Sequence, residues 1–149
     1  MPAEVITMTD ATTAPRLRQV VLDTTDARAL AEFYRRLLAL RYRPGDEPPE
    51  PGQPDPGGAD WLVLRTADGV PQLAFQQVER LPAATWPDHE VPQQLHLDLT
   101  VDSPEALAAQ HRRALELGAR MLLDRSDDPD EPLYVYADPS GHPFCIFVG

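Results

Sequence analysis

A single cysteine in 149 residues leaves no internal disulfide framework and points to a reducing compartment. No apolar run approaches the roughly 18 residues that would read as a membrane span. Residues 1–16, MPAEVITMTDATTAPR, have neither the basic start nor the apolar stretch of a signal peptide, so a cytoplasmic location is expected. Bases are scarce too: 13 arginines and lysines against 24 acids give a net charge of −11. That balance repels nucleic acid and anionic membrane, and neither is expected as a partner. A glycine-rich phosphate loop, a Ser-His-Asp order and a cysteine pair are also missing.

What remains suits one globular domain, with 42% hydrophobic residues and enough length for a core without staples. The acidity is concentrated. Pro44–Gly58 holds Asp46, Glu47, Glu50 and Asp55, and Asp124–Pro132 holds Asp124, Asp127, Asp128, Asp130 and Glu131 against Arg125 alone. Two solvated, self-repelling loops are the plain reading, and an attractor for a cationic ligand is the sharper one. With six prolines, 44–58 reads either as a semi-rigid lid or as a disordered segment.

The chain also repeats itself. Shifted by 77 positions, Leu17–Leu40 overlies Gln94–Leu117 without a gap, with eight identities between positions 22 and 40, including Arg35-Arg36 on Arg112-Arg113. A shared amphipathic period does not explain the matching arginine pair, whereas duplication does. Each copy opens on an alternating strand, Leu17–Asp23 and Leu95–Val101. A helix follows, capped by Thr25-Asp26 in the first copy and by Asp102-Ser103 with Pro104 in the second, where Gly118 ends it. Short strands at Arg41–Arg43 and Met121–Leu123 precede hairpins of Trp61–Leu64 with Gln72–Val78 and of Tyr134–Tyr136 with Pro143–Val148.

The predicted fold is α+β: two tandem βαβββ modules form a curved mixed sheet around a cavity, with helices on the outer face. Residues 1–16 are expected to be a flexible N-terminal segment. Residues 17–149 form one domain, with module 1 at about 17–80, a linker at 81–93 and module 2 at about 94–149. Alternation sends Leu95, Leu97, Leu99 and Val101 under the helix and His96, Asp98 and Thr100 to the opposite, polar face. By the offset, Gln19, Val21 and Asp23 are their counterparts. Such a polar, semi-enclosed sheet face is a natural ligand cavity.

Paired modules of this size, with Asp26 and Phe33-Tyr34 in the first strand-helix unit, His96-Leu97-Asp98-Leu99, and the closing Asp138-Pro139-Ser140-Gly141-His142-Pro143-Phe144-Cys145, resemble the glyoxalase / bleomycin-resistance / dioxygenase (vicinal oxygen chelate) superfamily. The resemblance runs from about Leu17 to Gly149. It implies a metal site on the first and last strands of each module, carried here onto Gln19, Phe75, His96 and Cys145. The family pattern is His or Gln, Glu, His, Glu, so both carboxylates are lost. A cofactor is therefore not expected and a divalent metal is disfavoured. Loss of those glutamates also removes the acid/base group that a true glyoxalase I would need.

The resulting expectation is a protein that binds a small organic molecule, cationic in kind, without a catalytic metal. Two alternatives stay open: a lyase or isomerase of the glyoxalase type using His96 and Asp98 or a recruited metal, and an interaction module with a vestigial pocket. The substrate-binding candidates are Gln19, Asp23, Trp61, Phe75, Gln77, His96, Asp98, Tyr136 and Cys145. Core packing is equally open to each aromatic. Cys145, with no neighbouring base in sequence, reads as packing rather than as a nucleophile, and His142 reads as a solvated turn residue. Family resemblance also implies a homodimer.

Overall fold

Why each half folds alike follows from its caps and its alternation. The computed structural model describes residues 2–5 and 7–149. A short helix α1 (Met8–Thr13) precedes the first module, which runs β1 (Val20–Thr24), α2 (Ala27–Leu38), β2 (Arg41–Tyr42), β3 (Trp61–Arg65) and β4 (Pro71–Gln77). The second runs β5 (Leu97–Val101), α3 (Pro104–Leu117), β6 (Arg120–Arg125), β7 (Leu133–Ala137) and β8 (Pro143–Val148). Asp26 Oδ1 accepts from the Ala29 N–H at 3.1 Å, and Ser103 Oγ accepts from the Ala106 N–H at 3.1 Å, so both expected N-caps satisfy a free donor of the first turn. Gly118, at φ 117°, closes α3 in the left-handed conformation that a side chain would disfavour.

The strands form two mixed four-stranded sheets, ordered β1-β4-β3-β2 and β5-β8-β7-β6. In each, the first and last strands of the module pair in parallel and the remaining pairs are antiparallel. One face of each sheet is covered by its helix. Leu22, Leu62, Leu64 and Phe75 meet Leu30, Phe33 and Tyr34 of α2, and Tyr136, Phe144 and Ile146 join Leu107 and Ala114 of α3 in the same core. Tyr34 stacks on Phe75 at 6.0 Å between ring centres and stands edge-on to Phe144 at 6.1 Å, so the core crosses from one module to the other.

Polar contacts fasten the same junction. Tyr34 donates to Asp138 Oδ2 at 2.7 Å, Thr24 Oγ1 meets Ser140 Oγ at 2.7 Å, and the His142 ring bonds the Asp23 carbonyl at 2.6 Å. His142 is thus a junction residue, though one that stays partly exposed. Arg113 of α3 donates to the last carbonyls of α2, those of Arg36 and Leu37, where the helix dipole favours a cation.

The proline-rich stretch is neither loose nor a lid over the sheet face. Arg28 of α2 grips it, donating to Asp55 at 2.8 and 2.9 Å and to the Asp46 carbonyl at 2.7 Å. Asp46 in turn accepts from the Val63 N–H at 2.9 Å, which ties the stretch to β3.

Candidate functional site

The site is built by strand parity. In sheet two, Asp98 pairs with Cys145 and Cys145 with Val135, while Phe147 pairs with Leu133 and Leu133 with Arg125. Side chains at alternate positions share a face, so His96, Asp98, Cys145, Val135, Leu133, Leu123 and Arg125 lie opposite α3. They line an open cavity of about 320 Å³, completed by Trp86 and Gln93 of the linker and by Glu131, in which His96 and Asp98 remain exposed. At one wall Cys145 Sγ donates to Asp98 Oδ1 at 2.8 Å, and His96 Nε2 lies 3.2 Å from the same oxygen. The expected spacing for i and i+2 allows a bridge between these side chains; here they meet directly.

The electrostatics of this wall settle the state of the thiol. Burial, then the hydrogen bond to the Asp98 carboxylate, push the Cys145 thiol up to about 12. With no metal bound, Cys145 therefore stays protonated near neutral pH and acts as a hydrogen-bond donor rather than as a nucleophile.

Of the residues expected in the cavity, His96, Asp98 and Cys145 are together in it. Asp23 is elsewhere, in a second hollow of about 250 Å³ between the β1 edge, the linker at Leu81–Ala84 and the turn at Ser140–His142. Gln19 and Trp61 line neither hollow, and Gln19 Oε1 is buried with no hydrogen-bond partner among the described residues. Three expectations need correcting. Phe75 is fully buried against α2. Gln77 is a helix clamp, accepting from the Ala27 N–H at 2.9 Å and donating to the Thr25 carbonyl at 2.6 Å. Tyr136 is fully buried on the α3 side, with its hydroxyl 2.7 Å from His111 Nδ1.

One register slip explains the first two. Aligning the hairpins on Val78 and Val148 puts Phe75 over Cys145. In the structure Val148 pairs with Val101, whereas the counterpart of Val101, Thr24, pairs with Gln77. Val78 lies one residue beyond β4, so the true counterpart of Cys145 is Ala74, opposite Val21. A one-residue shift in a strand exchanges its faces. Tyr136 has a simpler cause: it pairs with Phe144, and the parity of a five-residue strand is not fixed by its own sequence.

Trp86, Arg125 and Glu131 were not anticipated. β6 runs to Arg125, with a bulge between Met121 and Leu123, and so carries its arginine onto the cavity face. The alternation of Leu123 with Arg125 was the available signal.

The four family metal positions are thus Gln19, Ala74, His96 and Cys145. Ala74 has no donor atom, and Cys145, a thiol bonded to Asp98, stands where the family pattern has its second glutamate. Among the described residues, no three His, Cys, Asp or Glu side chains are grouped to hold an ion. This set does not fit the divalent centre of the metal-using members. No helix among the described residues is long and apolar enough to cross a membrane.

Comparison with known proteins agrees with the fold. No curated protein matches the chain. Among solved structures, it is similar to a fosfomycin resistance protein from Listeria monocytogenes, with TM-score 0.64 and 14% identity over 92% of this chain and 95% of that one. It is also similar to a glyoxalase/bleomycin resistance protein/dioxygenase family enzyme from Burkholderia phytofirmans, with TM-score 0.63 and 17% identity over 88% and 96%. A possible glyoxalase from Bacillus cereus gives TM-score 0.60 and 17% identity over 89% and 98%. The family model for the glyoxalase-like domain matches residues 19–147, and with the paired βαβββ modules this makes the chain a member of that family, within the glyoxalase/bleomycin resistance/dioxygenase superfamily.

Proposed function

We propose that the chain binds a small cationic organic molecule in the cavity of its second module, without a catalytic metal. The carrying observation is the lining itself: the carboxylates of Asp98 and Glu131, against the one guanidinium of Arg125, stand around an apolar floor of Leu123, Leu133 and Val135, with Trp86 at hand for stacking. A concave site with an apolar body and few polar groups is the usual form of a small-molecule pocket, and about 320 Å³ lies within the range of such pockets. An aromatic ring and two carboxylates favour a cation, and a net charge of −11 raises the local concentration of cations. Ala74, which has no donor atom, and the replacement of the second family glutamate by Cys145 support the absence of a metal role. The names borne by similar structures, a glyoxalase/bleomycin resistance family enzyme and a fosfomycin resistance protein, support small-molecule handling on this fold.

A thermal-shift screen of cationic aromatic compounds against neutral isosteres tests this reading. Binders selective for the native state raise the midpoint, and the shift is expected to disappear in the Asp98→Asn/Glu131→Gln double variant. Equal shifts from the neutral isosteres, or none from any cation, would contradict it.

One observation favours a second reading, a lyase or isomerase of the glyoxalase type. His96 Nε2 and Asp98 Oδ1 lie 3.2 Å apart, within reach of general-base work. Turnover lost in His96→Gln with binding retained would select this reading over simple binding. Family membership also supports a homodimer, which sedimentation equilibrium checks.

A further inference from the structure

Building on the binding site proposed above, two details of the cavity narrow the ligand. The Cys145 thiol donates to Asp98 Oδ1, and His96 Nε2 lies 3.2 Å from the same oxygen. Asp98 Oδ2 has no protein partner among the described residues, so the carboxylate is held from one side and left an acceptor on the other. Holding an acceptor in place before the ligand arrives lowers the ordering cost of binding. Across the sheet stands Arg125 on β6, at the far edge from β5, and among the described residues no carboxylate pairs with its guanidinium. Between these walls lie the apolar side chains of Leu133 and Val135. Three strand spacings separate the backbones of β5 and β6, about 14 Å along the sheet, and side chains reaching in from both walls shorten the gap.

We infer that the ligand is amphoteric: an ammonium or guanidinium group binds Asp98 Oδ2, an apolar middle lies over Leu133 and Val135, and a carboxylate or other oxyanion pairs with Arg125. Arginine is the side chain suited to planar oxyanions, with two parallel donors. In this arrangement His96 and Cys145 are positioning residues. Glu131 also lines the cavity, and its charge is felt by Cys145 beside Asp98, so it adds to the attraction for the ligand's cationic group.

The test is calorimetric titration of the full chain with the tripeptide Gly-Phe-Gly in three forms: free ends, N-acetylated and C-amidated. A tripeptide spans about 10 Å when extended, close to the shortened gap. The free form is expected to bind at least fivefold more tightly than either blocked form. Arg125→Gln should abolish the penalty of amidation and leave that of acetylation, and Asp98→Asn should do the reverse. Cys145→Ala should weaken the preference for the free amine, and Cys145→Ser, which keeps a donor, should restore it. Amide and free acid binding alike to the native chain, or an amidation penalty that persists in Arg125→Gln, would overturn the inference. If no tripeptide binds but a simple aromatic cation does, the amphoteric ligand is refuted and the cation site stands. If neither binds, both fall.

Discussion

Tyr34→Phe removes one oxygen atom from the junction of the two modules. Tyr34 is fully buried and Asp138 is 4% exposed, so no water is at hand to replace the 2.7 Å hydrogen bond. Asp138 Oδ1 keeps the Ser140 and His142 N–H groups at 2.8 and 3.1 Å, but Oδ2 loses its donor. A hydrogen bond to a charged group contributes about 1.5–3 kcal/mol, and the orphaned oxygen places the loss in the upper part of that range. For a domain of this length, about 2.5 kcal/mol lowers the melting midpoint by roughly 5–10 °C.

The loss also has a sign in pH. Burial raises the Asp138 carboxyl above its ordinary range, and the Tyr34 bond opposes that rise. Without Tyr34 the folded value climbs further. A carboxyl whose folded value exceeds its unfolded one favours the folded state when protonated, and that advantage is lost as pH rises through the folded value. The variant should therefore be closer to wild type near pH 4 than at pH 7–8. Urea denaturation of both proteins across this range measures it. A loss below about 0.5 kcal/mol at pH 7.5, or one that does not change with pH, would refute the buried-acceptor account.

Further outcomes follow from the same contacts. Phe75→Ala should destabilise by about 3–5 kcal/mol, as large-to-small core changes do, while the folded fraction keeps its ligand affinity; a specific loss of affinity would return Phe75 to the cavity. Arg28→Ala should make the 44–58 stretch the first site of limited proteolysis, because it removes the bonds to Asp55 and to the Asp46 carbonyl. Cys145 should alkylate slowly at pH 8, its thiol being pushed up to about 12, and Asp98→Asn should accelerate the reaction several-fold by removing the negative neighbour. Equal rates in the two proteins would show that Asp98 does not hold the thiol.

The duplication, both helix caps and the polar face of β5 are legible in the chain because each rests on local chemistry: an offset of 77, a Ser or Asp before an apolar period, a strict alternation. That alternation placed His96 and Asp98 on the cavity side. The same reasoning failed at Phe75 and Gln77, where the alignment relied on a terminal valine that lies outside the strand in one module and inside it in the other. In the sequence Arg125 and Glu131 read as charges of an acidic loop, either solvated or attracting a cationic ligand, and not as walls of the sheet cavity. Their place in the cavity depends on how far β6 extends past its bulge, which pairing with β7 decides. The anchoring of the proline-rich stretch was likewise out of reach, since Arg28 and Asp55 meet across 27 positions of chain.

The most direct test of a cation site in the second module is a backbone amide NMR titration with the cation that most stabilises the protein. Saturable shifts should centre on His96, Asp98, Leu133, Val135 and Cys145, and they should vanish in Asp98→Asn/Glu131→Gln. Shifts confined instead to Asp23, Leu81–Ala84 and Ser140–His142 would place the ligand in the hollow between the modules and contradict the account.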